Sequence, residues 1–177
     1  MRKIFLLIIF IAFSAHAQKL ITKTGVVTFD GSVVSFEAVS AKNDAVTCVF
    51  KPSNGQIASL ILVKGFKFKT ALMEEHFNEN YVESSKYPKA TLRGKLIDFN
   101  LNDISELKRE YMLSGKLELH GVQKNVLIKV FVSKKADFIN IESDFTLSAA
   151  DFEIVIPSFV RSKVTDIIKV NTNFLLN

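Results

Sequence analysis

The chain has one cysteine, Cys48, and no tryptophan. A lone thiol cannot close an internal disulfide, so stability must come from packing rather than covalent staples. The three prolines fall at element boundaries, and no repeat or low-complexity linker interrupts the sequence. Histidine is also scarce. Beyond His16, near the N-terminus, only His76 and His120 occur, far apart, without the paired histidines or cysteines that zinc-type sites use. No GxGxxG or GxxxxGK phosphate loop is present. The lysines are scattered rather than clustered, which argues against nucleic acid as a partner.

The N-terminus reads as a leader. Arg2 and Lys3 precede an apolar run over 4–13, and Ala15, His16 and Ala17 form a small-x-small cleavage site. Ten apolar residues are too few for a spanning helix, which needs roughly 20. No cysteine follows the small residues, so a lipid anchor is not expected. The sequence therefore predicts a signal peptide over 1–17, a single domain over 18–177, and an exported, periplasmic location. Removing Arg2 and Lys3 lowers the formal net charge from +5 to +3. That excess leaves room for a transient contact with an anionic membrane surface and does not demand one.

Period-two alternation dominates the remainder, as expected of half-buried strands. Tyr111, Leu113, Leu117 and Leu119 alternate with polar residues, as do Val126, Ile128, Val130 and Val132, and a turn within 121–125 would join the two as a hairpin. Ile139, Ile141, Phe145 and Leu147 repeat the pattern, followed by Ile168, Val170 and Phe174. Shorter candidates at 26–29, 33–39, 45–50, 57–63, 65–69 and 89–97 are separated by Asp30 and Gly31, by Lys42 and Asn43, and by 52–55. Cys48 shares a face with Val46 and Phe50, so a buried, inert thiol is expected. About eight short antiparallel strands with little helix favour a closed barrel, which removes exposed edges and is wide enough for one small or elongated ligand. Thirteen of the sixteen phenylalanines lie beyond the leader; they either fill a core or line a pocket.

The stretch 65–94 interrupts the strands with a polar, helix-capable block. Thr70 is a reasonable N-cap, Glu74 and Glu75 sit in the first turn, and Met73, Phe77 and Tyr81 recur every four residues, predicting a helix over about 71–82 with one apolar stripe. His76 stands among Glu74, Glu75, Glu79 and Glu83, but without partner ligands a metal site is not expected. Ser105 and Lys108 match a Ser-x-x-Lys spacing only formally, and 103–106 reads instead as a helix-capping arrangement.

Several ordered pieces then converge: Phe66, Lys67, Phe68; Met73 to Phe77; Tyr81 to Ser84; Lys86, Tyr87, Pro88, Lys89, Ala90; Tyr111, Gly115, Leu117, Gly121, Val122 and Lys124; Asp151 and Phe152; Ile156 and Pro157. Together they resemble the YceI family of exported bacterial proteins, over the chain from about residue 25 to the end. The resemblance implies an extended, lipocalin-like antiparallel β-barrel whose apolar interior binds isoprenoid or related amphiphilic lipids. The family's histidine after the helix start corresponds to His76, its Tyr-Pro pair to Tyr87 and Pro88, and its glycines to Gly115 and Gly121. Family members commonly open with an Asp-x-x-His-Ser strand, whereas this chain has Thr24, Gly25, Val26, Val27, Thr28 and Phe29, which implies a different head group, a shorter chain or no isoprenoid at all.

The expectation is a mainly β protein, a barrel of about eight strands with a short helix near one mouth. It would bind an isoprenoid or fatty-acid-like lipid and need no cofactor, metal or catalytic residue. Phe66, Phe68, Met73, Phe77, Tyr81, Phe145 and Phe152 are the predicted cavity lining. Two other readings stay open: an interaction protein with a filled core, and a lipid-modifying enzyme using His76. The oligomeric state is also open, a dimer included.

Overall fold

The computed structural model describes residues 19–33 and 38–177. The expected leader over 1–17, and the middle of the strand expected at 33–39, lie outside the described residues. Nine antiparallel strands follow in order: β1 (Leu20–Ser32), β2 (Ser40–Lys51), β3 (Gln56–Leu62), β4 (Lys67–Phe68), β5 (Lys89–Leu96), β6 (Arg109–Leu119), β7 (Val122–Lys135), β8 (Phe138–Ser148) and β9 (Val164–Leu176). Eight of them close a ring in the order β1, β9, β8, β7, β6, β5, β3, β2, with β2 returning to β1. β4 is a two-residue addition, pairing Phe68 with Ala41 and Lys67 with Lys42. The fold is thus a closed eight-stranded antiparallel barrel with one short helix, α1 (Ala71–His76), between β4 and β5.

Two expected breaks are absent because local hydrogen bonds remove the reason for them. Asn43 lies inside β2 and is buried; its Nδ2 donates to the Leu62 carbonyl (3.0 Å) and its Oδ1 accepts from the Ala45 N–H (3.0 Å). Asp30 lies inside β1, with its carboxylate accepting from the Ser32 N–H at 2.7 Å. Residues that usually signal turns are satisfied within strands here, so β1 and β2 run longer than alternation alone marks. The β6–β7 turn is also earlier and tighter than expected. It consists of His120 and Gly121 alone, at φ 53° and 75°, the positive pair that a two-residue hairpin of matching twist requires. The helix-capping arrangement expected at 103–106 is replaced by a single 3-10 turn, Leu101–Asp103, capped by Asn100.

Gly94 of β5 faces Gly115 of β6. A Cβ added to either would lie 2.6 or 2.5 Å from a backbone oxygen of the other strand, so two side-chain-free residues are required where the strands press together.

The interior has two unlike halves. One end is solid: Cys48, Phe50, Leu96, Leu113, Val132, Ile141 and Leu176 are each at most 1% exposed. There Phe99 bridges Phe50 and Tyr111 at centroid distances of 5.3 and 5.4 Å. Burial pushes the Cys48 thiol up to about 12, in line with the inert thiol expected. The other end of the barrel is hollow.

Candidate functional site

The hollow end forms a cavity of about 350 Å³, roofed by α1 and its continuation and by the connection between β8 and β9. Its walls come from inward positions on the strands: Phe29 from β1, Ile61 from β3, Leu92 from β5, Leu117 from β6, Phe145 from β8 and Ile168 from β9. Alternation points these residues inward, around the space they enclose.

The helical block is built as its sequence dictates, with one departure. Thr70 caps α1, its Oγ1 accepting from the Met73 N–H at 3.3 Å. Beyond His76 the chain widens into a π turn, Phe77–Tyr81, where the Val82 N–H reaches the Phe77 carbonyl five residues back at 3.0 Å. Asn78 Nδ2 donates to the Glu74 carbonyl at 2.8 Å, serving an acceptor near the point where the winding changes. Met73, Phe77 and Tyr81 all face the cavity, as their spacing predicted. Phe77 is the hub of an aromatic cluster: its ring lies 5.3 Å from Phe29, 5.9 Å from Phe66 and 5.0 Å from Phe68. These contacts fasten the helical block to β1 and β4.

Six of the seven residues predicted from sequence, Phe66, Phe68, Met73, Phe77, Tyr81 and Phe145, meet around this one cavity. Phe152 does not join them. It is buried in the short turn Ala149–Phe152 outside the lining, and its carbonyl oxygen lies 3.0 Å from His120 Nδ1.

That contact belongs to a cluster the sequence reading missed. His120 sits at the tip of the β6–β7 turn. Its Nε2 lies 2.9 Å from Glu83, which follows the π turn, while Nδ1 faces Phe152 in the β8–β9 connection. Both ring nitrogens therefore meet acceptors; a neutral imidazole donates to only one of them, a protonated ring to both. Tyr87 packs edge-on against His120 at 4.4 Å and covers Gly121, whose added Cβ would lie 2.6 Å from the Tyr87 ring. The only legible signal was the adjacency of His120 and Gly121 before a new apolar alternation. Tyr87 and Gly121 are thus coupled as fold determinants, and the three segments that frame the cavity are tied at one point.

Among the described residues, the lining contains no aspartate or glutamate. Its polar members are few: Ser59, His76, Tyr81, Lys163 and Thr172, the last already bonded to Ser143 Oγ at 2.7 Å. Glu74, on the outer side of α1, is held below the usual carboxylate range by the hydrogen bond from Lys67 at 2.7 Å. Among the described residues, no group of three or more His, Cys, Asp or Glu side chains could hold a metal ion. No described helix is long and apolar enough to cross a membrane. What the geometry can do is take apolar groups out of water, in a cavity of the size that holds a small or chain-like ligand.

Comparison with known proteins places the fold. A polyisoprenoid binding domain from Saccharophagus degradans, implicated in plant cell wall breakdown, superposes with a TM-score of 0.76 at 14% identity, covering 90% of this chain and 97% of that one. Burkholderia cenocepacia BcnA gives 0.70 at 16% identity, covering 86% and 96%. The Campylobacter jejuni YCEI protein gives 0.63 at 16% identity, covering 81% and 86%. Proteins of curated function yield no sequence match. The family profile of the YceI-like domain matches residues 14–176, nearly the whole sequence. By that match the chain belongs to the YceI-like family.

Proposed function

We propose that this protein is an exported, periplasmic carrier that holds one single-chain lipid, isoprenoid or fatty-acid-like, in the hollow half of its barrel. The observation that carries the reading is the one-ended apolar cavity: a packed floor of nearly inaccessible side chains below, and a roof of short segments above. The export half of the proposal is supported by the basic start, apolar run and small-x-small site over 1–17. The lipid half is supported by the family and by a structural relative described as a polyisoprenoid binding domain.

Affinity would come from burial. At roughly 0.8 kcal/mol per buried CH2, a tail of about a dozen carbons contributes on the order of 10 kcal/mol before ordering costs, so no charged anchor is required. Holding rather than converting the ligand is the simpler chemistry here. His76 lines the cavity, yet the nearest thing to a catalytic pairing, His120 with Glu83, lies outside the lining. A wholly filled core would have favoured an interaction protein, and half of this core is hollow.

Titration of the delipidated protein with a fluorescent fatty acid tests the reading. Saturable binding at one site, displaced by a medium-length isoprenoid alcohol, is expected; no saturable binding of either compound would contradict it.

A further inference from the structure

We propose that Ser59 reads the inner end of the bound lipid, and that the cavity selects a ligand with a small, uncharged oxygen group at that end. The inference rests on the carrier reading and adds a chemistry and a direction to it: polar end inward, chain toward the roof. β3 places Ser59 where the solid half of the barrel gives way to the hollow half. Of the inward residues on that strand, Ile57 lies outside the cavity lining, whereas Ser59 and Ile61 belong to it. In register, Ser59 stands beside Cys48 of the packed floor on one side and Leu92 of the cavity wall on the other. Ser59 is only 6% exposed, and its hydroxyl makes no hydrogen bond among the described residues. The hydroxyl of Thr172, also in the lining, is by contrast already bonded to Ser143 at 2.7 Å.

A buried hydroxyl left unbonded is costly, and alanine would leave the same room without one. Solvent serves Ser59 while the cavity is open. A hydrocarbon tail pressed against it removes that solvent and offers nothing in return, whereas a ligand oxygen placed there restores the bond. That oxygen must be uncharged. The basic side chains of the lining, His76 and Lys163, belong to α1 and the β8–β9 connection, which roof the cavity at its other end. An ionised carboxylate or phosphate carried down to Ser59 would be buried without a counter-charge, so an anionic head stays at the roof and leaves Ser59 unserved. Hydroxyl-ended and carbonyl-ended lipids share the required chemistry, because a serine hydroxyl donates as well as accepts.

Displacement of a fluorescent fatty acid from the delipidated protein tests the proposal. Dodecanol, methyl dodecanoate and tridecane serve as competitors, the last carrying a methyl group where dodecanol carries its hydroxyl. Each is titrated against wild type, Ser59→Ala and Ser59→Thr, and the affinity for each oxygen-bearing competitor is read relative to tridecane on the same protein. Ser59→Ala is expected to lower that ratio by about tenfold for dodecanol, for the ester or for both, the size of one hydrogen bond left unmade in a closed site. Whichever competitor responds identifies a hydroxyl-ended or a carbonyl-ended ligand. Ser59→Thr keeps the hydroxyl and should keep the wild-type ratio. Ratios unchanged in Ser59→Ala, whether or not all three affinities fall together, overturn the proposal and leave the carrier reading standing. Ratios that fall equally in Ser59→Ala and Ser59→Thr also overturn it, since they report the shape of the floor rather than its hydroxyl. Failure of every compound, the fluorescent fatty acid included, to bind wild type removes the carrier reading and this inference with it.

Discussion

Replacing Phe77 with aspartate separates the role of the helical block in binding from its role in stability. Phe77 makes three ring contacts at centroid distances of 5.0 to 5.9 Å and faces the cavity. Such contacts contribute about 0.5–1.5 kcal/mol each beyond area burial, and they share one ring, so the combined loss is about 3 kcal/mol. For a domain of this size that lowers Tm by roughly 6–12 °C, leaving a folded protein at 25 °C if the starting stability is ordinary. Binding should suffer separately. A carboxylate on the wall keeps water in the cavity, and losing contact with about three methylenes of a bound tail costs about 2.4 kcal/mol, on the order of fifty-fold in Kd. Circular dichroism melting would measure the first effect and fluorescent fatty-acid titration the second. Phe77→Leu should recover most of the affinity while regaining only part of the stability. A folded Phe77→Asp protein with wild-type affinity would refute the assignment of this block to the cavity wall.

Three further outcomes follow from the packing. Gly94→Ala should destabilise the barrel by more than about 2 kcal/mol, because its Cβ would meet the Ser114 backbone oxygen at 2.6 Å and backbone cannot swing aside; a neutral effect in urea denaturation would contradict the close approach. Cys48 should react with a thiol reagent only as the protein unfolds, and its raised pKa has a definite sign. An ordinary thiol near 9.0 loses its proton before the folded one near 12, so this contribution to stability is complete below pH 9 and is lost as pH climbs from there toward 12, a loss that Cys48→Ala removes. His120→Ala should accelerate hydrogen exchange in 83–87 and 149–154 together, since one ring contacts both segments; faster exchange in one alone would break the idea of a shared tie.

Alternation made the strands legible, because a strand with one face inside must repeat every second residue. It also placed Phe145 inward, and the four-residue spacing placed Met73, Phe77 and Tyr81 on one side of the helical block. Three things were not legible for physical reasons. Asn43 and Asp30 carry turn-forming side chains, and only their hydrogen bonds, one of them to the distant Leu62, reveal that they continue strands. Periodicity states which residues face in and not how much space they leave. The contrast between the solid end around Phe50 and the open end around Phe29 depends on which rings meet across the barrel. Phe152, expected in the lining, is buried outside it, with its carbonyl against a histidine thirty-two residues away, a contact that alternation does not mark.

Native mass spectrometry of the protein purified gently from the periplasm of its own host, followed by lipid identification, tests the carrier account most directly. The account predicts a protein species heavier than the bare chain by the mass of one single-chain lipid, with the excess reduced in Phe77→Asp. A clean apo mass for the wild-type protein, obtained under conditions that preserve other lipid complexes, would contradict it.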